Sequence, residues 1–393
     1  MPTETLVVAD YPVGHASGFG ETLYNLFDGF PGEKLWTAHP SHAVTAAGKT
    51  RAQSIKLPSP SRPQWLPQRA SLLYYPFLKV QQFRASRQAV RLLRDLVKRN
   101  SIKNLLVIPV SPWILDAALA LHKQCPQLNL VIYVMDDWQG HHESHELPYS
   151  SWRQRLLAEV VHRASVRFAV SREMAAHYDE TFGKSWLVVH NGVAHTATSP
   201  CETPAPLNTT QILLAGDVNV FRFDAVLAFA EAIARRNQRG EVPIGLTVMG
   251  EVAEDHRRSL SALRGVRILN RQSHSECLNA MQAASLLYLP LAFGKQSERI
   301  SLYSLPTKLP EYLASGKSVL FHAPKDSAVY RVAERYDLTP RLATIDRDAL
   351  DEFVASWPAC GRNGNESALK AKRALQEEFN LQRLTTRFQA AFV

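Results

Sequence analysis

Residues 302–324, LYSLPTKLPEYLASGKSVLFHAP, combine a loop, a helix start and charged side chains. Pro310 fits only the first turn of a helix, so the sequence predicts a helix that begins near Thr307 and ends at Gly316. Backbone amides at a helix start favour negative charge, and a lysine lies among them here. The segment therefore predicts an anion site suited to a diphosphate.

Glu311 lies one turn into this predicted helix. A carboxylate there can accept hydrogen bonds from both hydroxyls of a ribose. With Lys308 and the amides around Thr307 and Leu309 binding a diphosphate, the segment would bind a nucleotide. The alternative is an ordinary helix, with Lys308 exposed and Glu311 near the positive end of the helix dipole.

A loop with three glycines follows the first predicted strand, which ends at Asp10. Gly14, Gly18 and Gly20 would let backbone amides approach a phosphate or a sugar closely. The loop does not match the dinucleotide pattern G-x-G-x-x-G, because Leu23 stands where the third glycine belongs, and no G-K-[ST] follows. An ordinary glycine-rich turn is the alternative.

Two carboxylates, Asp136 and Asp137, follow the apolar run 130–135. Open α/β sheets bind ligands outside the carboxyl ends of their strands, so both are candidates for contacting a sugar. His141 and His145 follow with the i,i+4 spacing of a helical metal pair, but not in the H-E-x-x-H order. A solvated loop is the alternative, and we expect no metal.

The elements that would position these residues alternate regularly along the chain. Short apolar runs without alternation predict parallel strands buried on both faces, and amphipathic segments between them predict helices. The predicted strands are 6–10, 34–38, 105–110, 130–135, 166–170, 187–190, 212–216, 246–250, 266–269, 286–290 and 319–322. This pattern predicts an α/β fold with two doubly wound domains.

A stretch with three prolines and five threonines, 193–210, interrupts the alternation and predicts a linker. We therefore place an N-terminal domain at 1–195, the linker at 196–210 and a C-terminal domain at 211–366. A last helical pattern, 367–393, has no strand after it.

The composition, 46% hydrophobic and 21% charged, is typical of globular domains and argues against a disordered chain. No apolar run reaches the roughly 20 residues of a membrane span, and no secretory leader is evident. Four widely spaced cysteines fit a reduced, cytoplasmic compartment. The net charge of +9 favours anionic partners, but basic and aromatic residues do not interleave as nucleic-acid binding requires.

Five segments, in this order, resemble nucleotide-sugar glycosyltransferases of the GT-B fold, in the retaining, family 4-like group. They are V-S at 170–171, N-G-V at 191–193, G-x5-[KR] at 216–222, V-M-G-E at 248–251 and P-T-K-L-x-E-Y-L-A-S-G-K at 306–317. The resemblance implies two Rossmann-like domains facing a cleft. The C-terminal domain would bind a nucleoside diphosphate sugar, the N-terminal domain an acceptor, and the last helix would cross back.

The resemblance also implies roles by position. Glu311 would bind the ribose, Lys308 and Arg222 the diphosphate, and Gly250 and Glu251 would lie near the base. The implied donor-binding residues are Gly18, Gly20, Arg222, Gly250, Glu251, Thr307, Lys308, Leu309 and Glu311, and the implied catalytic residues are Asp136 and Asp137. The reaction would be a retaining, metal-independent transfer to a hydroxyl acceptor in bacterial surface glycan or glycolipid assembly, without a cofactor.

Three positions depart from the family pattern. Tyr303 stands where the family often has the first of two glutamates separated by seven residues. Asp217 stands where it usually has an arginine after the glycine of the G-x5-[KR] motif, and Asp136 where it often has a histidine after a strand. The second change weakens the diphosphate site unless Lys308 or Lys295 compensates. The alternative function is a non-catalytic nucleotide-sugar-binding relative that acts as a partner subunit.

Residues 79–103 contain eight basic residues and one acidic residue. On a helix, five of the basic residues fall within about an 80° arc, and four apolar residues occupy the adjoining arc. The basic ones are Arg84, Arg87, Arg91, Arg94 and Lys98, and the apolar ones are Phe83, Val90, Leu93 and Val97. This pattern predicts a helix on the inner face of an anionic membrane, near a lipid-linked acceptor. The alternative is a domain helix whose apolar face lies in the core.

Overall fold

The computed structural model describes residues 1–40, 42–43, 45–46, 48–49, 51–60, 71–140, 150–194, 210–240, 243–360 and 364–393. The chain forms two compact units. The first comprises Met1–Asn191 with Leu381–Val393, and the second comprises Gly192–Asn380. The predicted linker, apart from Thr210, and the predicted pair His141 and His145 lie outside the described residues.

The first unit contains one parallel sheet covered by helices. Its strands are β1 Thr5–Val8, β2 Leu35–Pro40, β3 Gln53–Leu57, β4 Asn104–Val107, β5 Asn129–Val134, β6 Val166–Ala169 and β7 Leu187–Val188. Its first five α-helices are α1 Gly18–Leu26, α2 Ser71–Arg99, α3 Pro112–Gln124, α4 Ser150–Arg163 and α5 Arg172–Phe182. The strand order is β3-β2-β1-β4-β5-β6-β7.

The second unit repeats this architecture. Its strands are β8 Thr210–Ala215, β9 Ile244–Met249, β10 Val266–Leu269, β11 Leu286–Pro290, β12 Val319–His322 and β13 Arg341–Leu342, in the order β10-β9-β8-β11-β12-β13. Its helices are α6 Phe223–Gln238, α7 Glu254–Ser261, α8 His274–Ala283, α9 Glu298–Tyr303, α10 Leu309–Ala314, α11 Ala328–Arg335, α12 Arg347–Cys360 and α13 Gly364–Glu377. All recorded strand pairs are parallel, so the predicted α/β fold of two doubly wound units is confirmed.

Two strands were not predicted. Most of β3, sequence QSIKL, is exposed, so it lacks the apolar run that marks a buried strand. The strand β13 has only two residues, too few for any pattern. Both strands lie at sheet edges, where one side needs no apolar cover.

The helical pattern 367–393 is two helices rather than one. The first, α13, contributes Ala371 and Ala374 to the core of the second unit. The second, α14 Leu381–Gln389, belongs to the first unit, where the Phe388 ring lies 5.1 Å from that of Phe27. The chain thus returns to the first unit, but only its last 13 residues do so.

The helix α2 buries most of the apolar arc predicted to meet a membrane. Val90, Leu93 and Val97 are at most 5% exposed and lie in the core, as the domain-helix alternative required. Phe83 remains exposed. None of the helices in the described part of the chain combines the length and hydropathy needed to cross a bilayer.

Candidate functional site

The strand order of the second sheet reverses between β8 and β11, the position at which open α/β sheets bind ligands. The loops after these two strands are tied together there. Asp224 Oδ2 accepts hydrogen bonds from the Phe293 and Gly294 amides at 2.8 Å. The Ala292 amide donates to the Phe221 carbonyl at 2.9 Å. These hydrogen bonds therefore fix the backbone of the two loops at the carboxyl edge of the sheet.

The predicted nucleotide-binding segment forms a tight turn before α10. The helix begins at Leu309, two residues after Thr307, and the Leu309 amide donates to the Pro306 carbonyl at 3.0 Å. That amide is therefore used within the turn. Lys308 Nζ lies 2.7 Å from Glu311 Oε2, and the two side chains are 31% and 15% exposed. Lys308, predicted to bind the diphosphate, and Glu311, predicted to bind the ribose, are thus direct neighbours.

Tyr312 fixes this helix to the end of β8. Its hydroxyl accepts a hydrogen bond from the Ala215 amide at 2.7 Å. Burial raises the pKa of the Tyr312 hydroxyl, the charge of Arg222 lowers it, and Glu311 raises it. The Tyr312 contact therefore brings the helix that carries Glu311 to the end of β8, beside the loop whose Asp217 carbonyl Arg222 contacts.

Arg222 folds back over the glycine that ends β8. Its Nη1 donates to the Asp217 carbonyl at 3.2 Å. Gly216 has a φ of +152°, and a Cβ at that position would lie 2.9 Å from Arg222 Nη1. The glycine of the G-x5-[KR] motif suits this position because side chains rarely adopt its φ, whereas the flexible end of Arg222 could move aside.

A charged triad lies beyond the ends of three neighbouring strands. Asp217, Glu251 and Arg271 each stand two residues past the end of β8, β9 and β10. Asp217 Oδ1 accepts from the Glu251 amide at 2.9 Å, and Oδ2 accepts from Arg271 Nη2 at 2.8 Å. Arg271 Nε lies 3.7 Å from Glu251 Oε1. No local sequence pattern marks Arg271, because its partner Asp217 is 54 residues away.

Gly250 brings these loops into close contact. A Cβ at Gly250 would lie 2.4 Å from the Gly216 carbonyl oxygen and 2.9 Å from the Asp217 amide. Any side chain there would push the loop after β9 away from the loop after β8. The glycine therefore sets the geometry of Glu251 beside Asp217.

Cys277, on α8, connects the triad to the Lys308–Glu311 pair. Its Sγ lies 3.5 Å from the Sδ of Met249, the last residue of β9. Burial raises the pKa of the Cys277 thiol, while Lys308 lowers it and Glu311 raises it. Since Tyr312 joins the helix of the pair to the end of β8, and the triad follows the ends of β8, β9 and β10, the pair and the triad lie along the same edge of the second sheet.

In the first unit, Gly20 serves the folding of its own loop. A Cβ there would lie 2.4 Å from the His15 amide nitrogen, and the Gly14 amide donates to the Gly20 carbonyl at 2.9 Å. Gly18 is the first residue of α1. The Asp10 carboxylate accepts from the Ser111 amide at 2.8 Å, which ties the loops after β1 and β4 together. Sequence reasoning had not assigned Asp10 this role.

The two predicted catalytic carboxylates differ in environment. Asp137 is 0% exposed. It accepts hydrogen bonds from the Tyr178 hydroxyl at 2.9 Å and the Gly140 amide at 2.7 Å, so it holds the turn after β5. Asp136 is half-buried, closer to solvent. Within the described residues, no group of three His, Cys, Asp or Glu side chains could hold a metal ion.

No family model and no curated protein matches this chain. Solved structures do match. A glycosyltransferase from Rickettsia africae is 11% identical, with 99% of this chain and 98% of that chain covered and a TM-score of 0.67. WaaG, a glycosyltransferase involved in lipopolysaccharide biosynthesis, is 12% identical, with 99% of both chains covered and a TM-score of 0.63.

A trehalose-6-phosphate protein from E. coli, bound with UDP-2-fluoro glucose, is 12% identical, with 99% of this chain and 98% of that chain covered and a TM-score of 0.67. Each of these matches spans nearly the full length of both chains. At such low identity, the likeness shows the fold alone, since one fold can host several activities. The chain has the GT-B fold of these glycosyltransferases, as the order of its sequence motifs predicted.

Proposed function

We propose that this chain is a glycosyltransferase that moves a sugar from a nucleoside diphosphate sugar to a hydroxyl acceptor. The observation that carries the proposal is the Lys308–Glu311 pair, on a helix that Tyr312 joins to the end of β8, beside the loop that Arg222 contacts. Two cations and a carboxylate at that position suit a nucleoside diphosphate. The UDP-2-fluoro glucose bound by the E. coli protein of the same fold supports this donor class.

The residues of the second unit would stabilise the departing diphosphate. Negative charge develops on it as the sugar bond breaks, and Lys308 and Arg222 would neutralise that charge. Glu311 would accept the ribose hydroxyls, with Thr307 beside the phosphates. Leu309 would contribute packing rather than its amide, which the turn already uses.

In the first unit, we assign contact with the reacting sugar or acceptor to Asp136. Asp137 would act through the turn that it holds, because its carboxylate is fully buried. Gly18 and Gly20 would let the loop after β1 approach the donor phosphate and the acceptor. The proposal places the acceptor at the carboxyl edge of the first sheet.

Release of nucleoside diphosphate from a panel of donors and acceptors tests the function. Lys308→Ala should reduce turnover strongly, while Lys123→Ala, which removes an exposed lysine of the first unit that pairs with Glu159 at 2.7 Å, should leave it unchanged. A chain that binds donors but shows no turnover with any acceptor would instead be a binding subunit.

We further propose a retaining transfer that needs no metal. Lys308 and Arg222 supply the charge that a divalent cation would otherwise provide. Activity should persist in excess chelator, and NMR of the product should show the anomeric configuration of the donor. A rate that returns only with added Mg²⁺ or Mn²⁺ would contradict the proposal.

A peripheral membrane site on α2 completes the proposal, with a lipid-linked acceptor of surface glycan assembly. Phe77, Val80 and Phe83 are 43–53% exposed, and the Arg87 guanidinium lies 4.6 Å from the centre of the Phe83 ring. Apolar and basic side chains together favour an anionic bilayer. The lipopolysaccharide role of WaaG supports the pathway class.

Flotation with anionic liposomes at low and high salt tests membrane binding. Wild-type protein should float at low salt, and replacing Arg87, Arg91 and Arg94 with Glu should abolish flotation, because each basic residue near the surface contributes roughly 1 kcal/mol. If wild-type protein never floats at low salt, the membrane proposal is wrong.

A further inference from the structure

The charged triad lies where the base of a bound nucleotide would be. The strands β8, β9 and β10 are successive neighbours, so the end of β10 lies roughly 10 Å along the sheet edge from the end of β8. Arg222 contacts the loop after β8, and Lys308 and Glu311 lie beside the helix turn that Tyr312 joins to the end of β8. A nucleoside diphosphate with its phosphates there would extend its base toward Glu251 and Arg271.

The triad presents a definite hydrogen-bonding pattern. Glu251 is 74% exposed and Arg271 is 42% exposed, so a ligand can reach both side chains. The Glu251 carboxylate accepts hydrogen bonds only, and the guanidinium donates only. Asp217 accepts hydrogen bonds from the Glu251 backbone amide and the Arg271 guanidinium, and so holds the backbone of Glu251 beside Arg271.

We propose that Glu251 and Arg271 select guanine, so that the donor is a GDP-sugar; this rests on the proposed function. Guanine presents two adjacent N–H groups that one carboxylate can accept together, and its O6 and N7 suit an arginine. Uracil presents a single N–H flanked by two carbonyl oxygens, which repel a carboxylate. Adenine and cytosine each offer one amino group beside a bare ring nitrogen, which also faces the carboxylate poorly.

Calorimetric titration of the full chain with GDP, UDP, ADP and CDP tests the proposal. GDP should bind at least about tenfold more tightly than UDP. Glu251→Gln should weaken the affinity for GDP about tenfold, while the affinity for UDP changes less than threefold, because the glutamine amide can donate to a uracil carbonyl. Arg271→Gln should also weaken GDP about tenfold.

Arg258→Gln is the matched control for the arginine. This residue also pairs with two acidic side chains, Glu254 at 3.6 Å and Asp255 at 3.2 Å, but on the exposed surface of α7. It should leave all four affinities unchanged. Thermal melts of each variant establish that it is folded, and the base preference of the wild type tests the proposal even if one variant is not.

The outcomes separate this inference from the proposed function. If UDP, ADP or CDP binds as tightly as GDP, guanine selection is wrong, and the glycosyltransferase proposal stands. If GDP is preferred but neither Glu251→Gln nor Arg271→Gln weakens it, the triad does not read the base. If no nucleoside diphosphate binds at millimolar concentration, the proposed function itself fails, and the inference fails with it.

Discussion

Replacing Glu311 with Gln should separate a ligand-binding role from a structural one. The change keeps the shape of the side chain and removes its charge. Its partner Lys308 is 31% exposed and Glu311 is 15% exposed, so solvent screens the pair, which should contribute at most about 1 kcal/mol to stability. Charged hydrogen bonds to a ribose contribute roughly 1.5–3 kcal/mol, equivalent to a loss of about 10- to 150-fold in affinity.

The assay is calorimetric titration with the nucleoside diphosphate that wild-type protein binds most tightly, combined with urea unfolding. Glu334→Gln is the control, because Glu334 also pairs with a cation three residues away, Arg331 at 3.1 Å, on the surface of α11. It should affect neither measurement. Unchanged affinity in Glu311→Gln, or a loss of stability of several kcal/mol, would refute the ribose assignment.

Three further predictions concern the frame around this site. Tyr312→Phe leaves the buried Ala215 amide without its hydrogen-bond partner, so the free energy of unfolding should fall by about 1–3 kcal/mol. Nucleotide affinity should also fall, because α10 shifts. A variant as stable as the wild type in urea unfolding would contradict this prediction. Burial lowers the pKa of His322 to about 4, against about 6.5 in the unfolded chain. Acidification below pH 6.5 should therefore reduce the free energy of unfolding by at most about 3 kcal/mol. In urea unfolding, His322→Gln should lack this part of the pH dependence. Gly250→Ala would place a Cβ 2.4 Å from the Gly216 carbonyl, so it should cost about 1–3 kcal/mol of stability and weaken nucleotide binding, as melts and titration would measure; wild-type behaviour would show that the loops can separate freely.

The alternation of apolar runs and amphipathic segments determined the fold class. A buried parallel strand must be apolar on both faces, so the runs at 286–290 and 319–322 predicted their strands with the observed bounds. Pro310 likewise restricted where α10 could begin, since proline fits only the first turn of a helix. These signals are local, and a local signal can be read without knowing the neighbours in space.

The arrangement of the candidate site needed the tertiary structure. The position of Arg271 beside Asp217 depends on β10, β9 and β8 being neighbours, which no residue pattern states. The packing of Gly20 on His15 depends in the same way on the path of the loop.

Burial on helices was decided at the same level. Val90 on α2, Phe388 on α14 and Phe83 on α2 are all apolar residues of amphipathic helices, yet only Val90 and Phe388 lie in the core. An amphipathic pattern shows that one face of a helix will be buried. Which residues of that face are buried depends on the neighbouring elements that pack against it. The sequence by itself therefore determined the elements and their order, while the folded chain decided which charged and apolar groups meet, because those contacts join residues far apart along the chain.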